Sequence, residues 1–333
     1  MNKVKRLFYK IVSRLRPDVR RDYRLMRRLK RLFSVPVVSS PFVDYCLFVA
    51  DRKISLRMFA PSEGLPGPET LLFFHGGGFV TGDIDTYTSV CRTLADETCR
   101  NVISVDYRLA PEHPFPAGLE DCYQVWLALQ RRYSRNKKGW RDLVLIGDSA
   151  GANLAAALSL YARDRGMKVP QKQILLYPVT WYDHSERSPF RSVRENDGDY
   201  VLTAKAVDDY LTLYLDGKNP QNPYVAPLLA TDFTNLPDTL VITAEYDVLR
   251  DEGEAFSKKV AAAGNKCKYV CIENAVHGFI SFPRRHESVV KCYSIINRFL
   301  DSTDQSGEDD NFGWEQKIEK QREKSVGAVG QCV

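Results

Sequence analysis

The sequence lacks an apolar run long enough to cross a membrane, because no hydrophobic stretch approaches the roughly 18 residues of a spanning helix. Its basic N-terminus is not followed by the apolar core of a signal peptide, so we expect no export. Metal-type spacing is also missing: Cys267 and Cys271 fit one strand face, but neither a His nor a further Cys completes a zinc set. We therefore expect the eight cysteines to be free thiols in a reducing cytoplasm, and we expect neither a metal nor a cofactor.

Positive charge is concentrated at one end of the 333-residue chain. Residues 1–33 contain 13 Lys and Arg against Asp18 and Asp22, a local charge of +11. Because the whole chain carries only +5, the remainder carries −6, which argues against nucleic-acid binding by the body of the protein. The hydrophobic content of 44% and the charged content of 27% are ordinary for a soluble globular protein.

Apolar residues recur at helical spacing within the basic segment, which predicts one or two amphipathic helices. A basic amphipathic helix can make a peripheral contact with an anionic membrane surface. Its apolar face can instead cover a pocket of the same protein while Arg and Lys face water, and we favour this second arrangement. The apolar positions are Leu7, Phe8, Ile11, Val12 and Leu15, followed by Tyr23, Met26, Leu29 and Phe33.

Short apolar runs then alternate with helical patterns, as is typical of a mostly parallel sheet covered by helices on both faces. The order of these elements predicts an α/β fold of about eight strands, with an antiparallel pair at the start. An interval at 181–235 is too long for a simple crossover, so we expect an inserted cap with loops over Asp183–Asp199 and one helix near Ala204–Leu215. The segment after residue 300 is polar and weakly patterned, which predicts a disordered or loosely docked tail. The predicted strands are Tyr45–Val49, Ile54–Phe59, Leu71–Phe74, Val102–Val105, Leu143–Ile146, Ile174–Tyr177, Leu240–Thr243 and Tyr269–Ile272.

A Gly-x-Ser-x-Gly motif follows the strand Leu143–Ile146 and precedes an Ala-rich helical segment. A turn this tight forces the serine, Ser149, into strained backbone geometry, and a side chain at Gly147 or Gly151 would collide with it. Such a turn lifts the Ser149 hydroxyl above the sheet edge and aims the first helical amides at whatever the serine attacks.

A second glycine run, Gly76 to Gly78, follows the strand Leu71–Phe74. Three glycines allow the backbone to turn its N–H groups into an open pocket, as an oxyanion hole requires. Because Phe74 and Phe79 bracket the run, we expect a packed loop, with His75 as a structural hydrogen-bonding residue beneath it rather than a catalytic base.

An acid and a histidine follow two later strands at the sheet edge that carries Ser149. Asp247 comes after Leu240–Thr243, and His277 comes after Tyr269–Ile272, so the chain order is Ser, Asp, His. A weakly acidic serine hydroxyl needs such a base, and the imidazole needs a carboxylate to orient it. Asp251 and Glu245 are alternative acids at this point, although we favour Asp247.

Five motifs, spread over residues 42–300, resemble the hormone-sensitive lipase family of α/β-hydrolases, which includes bacterial group-IV esterases and arylacetamide deacetylase relatives. Ala152 departs from many relatives, which have a further glycine there, and this affects helix packing more than chemistry. The motifs are His75 to Phe79, Asp106 to Pro116, Gly147 to Gly151, Asp247 to Asp251 and His277 to Phe279.

The resemblance implies an α/β-hydrolase fold with a catalytic triad of Ser149 as nucleophile, His277 as base and Asp247 as the orienting acid. It implies an oxyanion hole from the amides of Gly77, Gly78 and Ala150, with Gly76 completing the turn. It also implies a cap built from residues 1–40 and the insert 181–235 over a core of 41–180 and 236–300, with 301–333 as the tail.

These features predict a serine carboxylic-ester hydrolase that acts on small or short-acyl esters through an acyl-enzyme. A deacetylase or amidase with the same triad, a membrane-surface lipase and a non-catalytic binding module are the alternatives. We expect a small-molecule ester substrate and no nucleic acid. Peripheral membrane contact through residues 1–33 and a homodimer formed through the final strand edge stay open.

Overall fold

A single eight-stranded sheet organises the chain, with the strand order β1-β2-β4-β3-β5-β6-β7-β8. The structure, a computed structural model, describes residues 6, 9–11, 13, 17–33, 42–49, 52–135 and 143–302. β2 runs antiparallel to both β1 and β4, and the other neighbours are parallel, so the predicted mostly parallel sheet with an antiparallel start is confirmed. The strands are β1 (Phe42–Val49), β2 (Arg52–Phe59), β3 (Thr70–Phe74), β4 (Asn101–Asp106), β5 (Leu143–Asp148), β6 (Lys172–Leu176), β7 (Asp238–Tyr246) and β8 (Cys267–Val276).

Helices connect most of the parallel strands and pack against the sheet. α4 packs against β3, β5 and β6, and α7 packs against β7 and β8. None of the described helices is both long enough and apolar enough to cross a membrane. The helices are α1 (Val19–Phe33), α2 (Thr88–Thr98), α3 (Ala117–Arg135), α4 (Ala150–Arg163), α5 (Arg191–Asn196), α6 (Ala204–Leu215), α7 (Arg250–Ala262) and α8 (Glu287–Asp301), with 3₁₀ turns at Pro227–Leu229 and Phe279–Ser281.

The burial of the central strands explains why the sequence predicts the sheet. Every residue of β3 and β5 is buried, which requires the continuous apolar runs that predicted them. α4 is buried along almost its whole length, and its many alanines let it approach the sheet closely. Buried residues of β5 and α4 therefore lie on both sides of the turn that carries Ser149.

The insert after β6 contains one helix more than predicted. The loop expected over Asp183–Asp199 includes α5, which is too short for a helical period to show in the sequence. Contacts with the turn after β7 hold it: the Ser192 amide donates to Asp251 Oδ2 (2.7 Å), and the Ser192 hydroxyl donates to the Val248 carbonyl (2.8 Å). Tertiary contacts, not an amphipathic pattern, thus stabilise α5.

The basic N-terminal segment is helical where it is described. α1 packs against α6, with Val19 buried in the core and Tyr23 and Met26 partly buried against it. Of the first apolar set only Ile11 is described, and it is half exposed; Leu7, Phe8, Val12 and Leu15 lie outside the described residues.

The chain divides into two compact units, residues 1–297 and 298–333. Only residues 298–302 of the second unit are described. The predicted tail, 301–333, therefore lies almost wholly outside the described residues. The seven cysteines in the described part of the chain, all except Cys332, are free thiols.

Candidate active site

Ser149 occupies a strained turn between β5 and α4. Its backbone has φ 54° and ψ −118°, a conformation that residues with a side chain rarely adopt. The flanking glycines are required sterically: a Cβ at Gly147 would lie 2.4 Å from the Gly151 backbone, and a Cβ at Gly151 would lie 1.9 Å from the Phe74 carbonyl oxygen. The turn therefore has the geometry that the motif predicted, with the serine at the start of a helix.

His277 lies between Ser149 and Asp247, joined to each by a hydrogen bond. His277 Nε2 is 2.9 Å from Ser149 Oγ, and His277 Nδ1 is 2.6 Å from Asp247 Oδ2. The Asp247 carboxylate is buried and accepts a hydrogen bond from the Leu249 amide at its other oxygen (3.0 Å). Each of the three residues directly follows a parallel strand, so the same sheet edge brings them together.

The two alternative acids have other partners. Glu245 Oε2 accepts from the Asn274 amide (2.7 Å), and Asp251 pairs with Arg250 and with the Ser192 amide. Of the three carboxylates that the sequence leaves open, the structure brings only Asp247 to His277.

The glycine loop after β3 is tied to the serine turn through Asp148. The Gly76 amide donates to Asp148 Oδ1 (2.7 Å), and the Tyr87 hydroxyl donates to Oδ2 (3.1 Å). Burial raises the pKa of the Asp148 carboxyl, although these two hydrogen bonds favour its ionised form and oppose the shift. The Gly76 amide is therefore occupied by Asp148. The next two residues, Gly77 and Gly78, line the pocket beside Ser149.

Asp148 lies within the Gly-x-Ser-x-Gly motif, but the motif predicts no role for it. A usable signal was present, since a carboxylate at the end of a buried strand requires hydrogen-bond partners. The partners themselves depend on the pairing of β3 with β5, which sets Phe74 opposite Gly147.

The loop conformation also depends on the absence of side chains. Gly77 and Gly78 have φ of 123° and 63°, and a Cβ at Gly78 would lie 2.2 Å from the Tyr210 ring. Beneath the loop, the fully buried His75 ring stacks on Tyr107 with ring centroids 4.3 Å apart. Burial lowers the pKa of His75 to about 4, so the ring is neutral, and its Nδ1 lies 3.0 Å from the Gly76 carbonyl oxygen.

A cavity of about 260 Å³ opens at Ser149 and His277. Its sheet side comprises Ser149, His277 and the glycine loop. Its helical side includes Met26, which belongs to the predicted amphipathic pattern, and Lys30 from α1, together with Val207, Tyr210 and Leu211 from α6, which no motif indicated.

A buried ion pair ties the insert to the helix that follows Asp247. His184 Nε2 is 2.7 Å from Glu252 Oε2, and Glu252 Oε1 accepts from the amides of Thr180 (2.6 Å) and Trp181 (3.1 Å). Burial alone would lower the pKa of His184, but the charges of Glu252 and of Asp208, 3.6 Å from Nδ1, and the hydrogen bond to Glu252 outweigh it and raise the pKa to about 9. His184 is therefore protonated at neutral pH and stabilises this junction.

Comparison with known proteins agrees with the fold and its motifs. The chain is 37% identical over 263 residues to the carboxylic ester hydrolase LipN of Mycobacterium tuberculosis (strain ATCC 25618 / H37Rv), covering 77% of this chain and 69% of LipN. It is 34% identical over 251 residues to an arylesterase of Saccharolobus solfataricus, covering 74% and 79%. The structure matches that of a hyperthermophilic esterase from the archaeon Pyrobaculum calidifontis with a TM-score of 0.79 and 33% identity, covering 90% and 97%. Residues 71–281 match the sequence pattern of a family described by the alpha/beta hydrolase fold, and the chain belongs to that family.

Proposed function

We propose that the protein is a serine carboxylic-ester hydrolase with Ser149 as nucleophile, His277 as general base and Asp247 as the acid that orients His277. The observation that carries this proposal is the continuous series of hydrogen bonds from Asp247 to His277 (2.6 Å) and from His277 to Ser149 (2.9 Å) at the wall of a cavity. The similarity to a carboxylic ester hydrolase and an arylesterase supports the same activity.

The reaction proceeds through an acyl-enzyme. Ser149 Oγ attacks the ester carbonyl carbon while its proton passes to His277 Nε2, and the amides of Gly77, Gly78 and Ala150 donate to the resulting oxyanion. The intermediate then expels the alcohol, which takes the proton from His277. Water, activated by His277, attacks the acyl-enzyme by the same route and releases the carboxylic acid together with free Ser149. The buried Asp247 carboxylate stabilises the imidazolium that forms in each half-reaction.

Small or short-acyl esters suit the cavity best. Its volume of about 260 Å³ lies below the roughly 300–1,000 Å³ of pockets that hold drug-sized ligands. The resemblance of the five motifs to the hormone-sensitive lipase family supports assigning the chain to that branch. In that assignment α1 and the insert 181–235 form the cap, which agrees with the contribution of α1 and α6 to the cavity wall. The homodimer and the cytoplasmic location stay predictions.

A fluorescent fluorophosphonate tests the proposal directly, because it reacts with an activated serine at an oxyanion hole. We expect a single labelled peptide containing Ser149, with labelling lost in Ser149→Ala, in His277→Ala and after heat denaturation. Labelling of the folded protein at another residue, or its absence, would overturn the assignment. A matched pair of an acyl ester and the corresponding anilide then distinguishes an esterase from an amidase by the ratio of their kcat/KM values.

A further inference from the structure

The arginines on one face of α1 are already paired with the body of the protein. Arg20 pairs with Asp209 (2.7 Å), Arg27 with Glu112 (2.8 Å) and Arg31 with Asp83 (2.7 Å). Arg27 also donates to the carbonyls of Val80 (2.7 Å) and Ala110 (2.8 Å). This face therefore accounts for part of the N-terminal positive charge without any external partner.

A second set of α1 residues faces solvent. The positions are spaced by three, one, three and four residues, so they form one stripe along the helix. All five side chains are exposed, with Leu25 at 49% and Leu32 at 77% of full exposure. We call this set the outer stripe: Arg21, Arg24, Leu25, Arg28 and Leu32.

The arginines of the outer stripe are available to bind an external anion. Within the described part of the chain, none of the three forms an ion pair, and Arg24 donates instead to the hydroxyl of its neighbour Tyr23 (3.0 Å). Three cations and two exposed leucines on one helix face are the combination that favours an anionic lipid surface, because headgroup phosphates meet the arginines and the leucines leave water. A nucleic acid would use the arginines alone and would leave the leucines in water, and the net charge of −6 outside residues 1–33 also opposes it.

We propose that the outer stripe of α1 docks the protein on a membrane surface rich in anionic phospholipid. The helix lies on the surface and does not span it. The same helix contributes Met26 and Lys30 to the cavity wall, so docking through the outer stripe attaches the substrate pocket to the lipid surface through one rigid element. One face of α1 is thus bound to the rest of the protein by ion pairs, and the outer stripe contacts the membrane.

Vesicle co-sedimentation of the full chain tests this proposal. The probes are vesicles of one part phosphatidylglycerol to two parts phosphatidylcholine, compared with vesicles of phosphatidylcholine alone. We expect binding to the anionic vesicles only. The triple variant R21Q/R24Q/R28Q should bind on the order of 100-fold more weakly, given about 1 kcal/mol per basic residue at such a surface. The variant L25Q/L32Q should bind about tenfold more weakly at low salt and should keep the salt dependence of the unaltered protein.

A matched variant separates position from net charge. R131Q/R187Q/R285Q removes three exposed arginines elsewhere on the chain and should bind anionic vesicles as the unaltered protein does. All variants should hydrolyse a soluble short-acyl ester normally, since none of these residues lines the cavity. Equal binding by R21Q/R24Q/R28Q and the matched variant would overturn the proposal. Binding to a DNA duplex that depends on the arginines but not on the leucines, with no vesicle binding, would assign the outer stripe to nucleic acid and would overturn it as well.

Discussion

The cavity has a sheet side and a helical side, and different forces position their residues. On the sheet side, Ser149 and His277 follow parallel strands, and the tight turn at Ser149 and the hydrogen bonds of His277 to Ser149 and Asp247 position them. On the helical side, Met26 and Tyr210 are positioned by the packing of α1 on α6, by the ion pair between Arg20 and Asp209 that joins these helices, and by the ion pair from Arg27 to Glu112. The positions of the reactive groups in this molecule thus depend on local turns, whereas the shape of the substrate pocket depends on contacts between distant segments.

Replacing Ser149 by Ala should have the largest effect, because it removes the atom that the whole sheet side positions. We expect the rate of ester hydrolysis to fall by about 10³ to 10⁶, with no further loss when His277 is also replaced. Stopped assays with a chromogenic ester measure this. Ser281→Ala, at a serine that also lines the cavity, is the matched control and should keep nearly full activity. Ester turnover by Ser149→Ala at the rate of the unaltered protein would remove the basis for treating the sheet side as catalytic.

Replacing Glu252 by Ala should destabilise the junction between the two sides. The imidazolium of His184 would then lose its partner at 2.7 Å and keep only the partly exposed Asp208 at 3.6 Å, and removing one member of a buried pair typically costs about 3–5 kcal/mol of unfolding free energy. Urea unfolding at neutral pH measures this. Glu254→Ala, on the same helix and, among the described residues, ion-paired with the exposed Lys258, should change stability by less than about 1 kcal/mol.

The same pair gives the protein a pH dependence of known sign. The pKa of His184 is raised from its ordinary value of 6.5 to about 9, so folding favours the protonated form. The resulting stability is fully present below pH 6.5 and is lost as the pH rises through about 9. Unfolding free energies measured across this interval should decline, and His184→Gln should flatten the decline. An unchanged slope in that variant would mean that another group titrates.

Gly78→Ala should disturb both the sheet side and the helical side of the cavity. The added Cβ would lie 2.2 Å from the Tyr210 ring on α6 and would displace an amide of the proposed oxyanion hole, so we expect kcat to fall by about 10² to 10³. Gly166→Ala is the matched control, because Gly166 has the same φ of 63° but no atom within 4 Å of the added Cβ. The double variant Gly78→Ala with Tyr210→Ala should recover part of the loss. No recovery would mean that backbone strain at residue 78, not the helical side, causes the defect.

Local signals explain why the sheet side is predictable. A buried strand, a glycine-flanked serine and an Ala-rich helix occupy adjacent positions, so strand-turn-helix geometry around Ser149 follows from sequence neighbours alone. His277 and Asp247 follow because parallel strands end at one edge. The choice among Asp247, Asp251 and Glu245 does not follow, since it depends on where α7 begins and on the side chains that the insert brings to the turn.

Distant contacts explain why the helical side is predictable only as segments. The sequence predicts a cap from residues 1–40 and 181–235, but it does not specify which side chains line the cavity, because Met26 and Tyr210 come together through the packing of α1 on α6. The short helix α5 has no amphipathic period and exists through its contacts with the turn after β7. The role of Asp148 depends on the register between β3 and β5. Each of these features depends on a contact between distant segments, which local sequence patterns do not specify.

Arg27→Met should have the smallest effect and gives the most selective test of the helical side. Arg27 joins α1 to Glu112 and to two carbonyls, and its side chain is largely but not fully buried, so we expect a loss of about 1–2 kcal/mol in unfolding free energy. Because α1 carries Met26 and Lys30 into the cavity wall, a loosened α1 should raise KM for a soluble ester severalfold and leave kcat nearly unchanged. Arg28→Met, one position along on the outer stripe, should change neither constant. A fall in kcat with constant KM in Arg27→Met would mean that α1 acts on the sheet side as well, and the separation of the two sides would then fail.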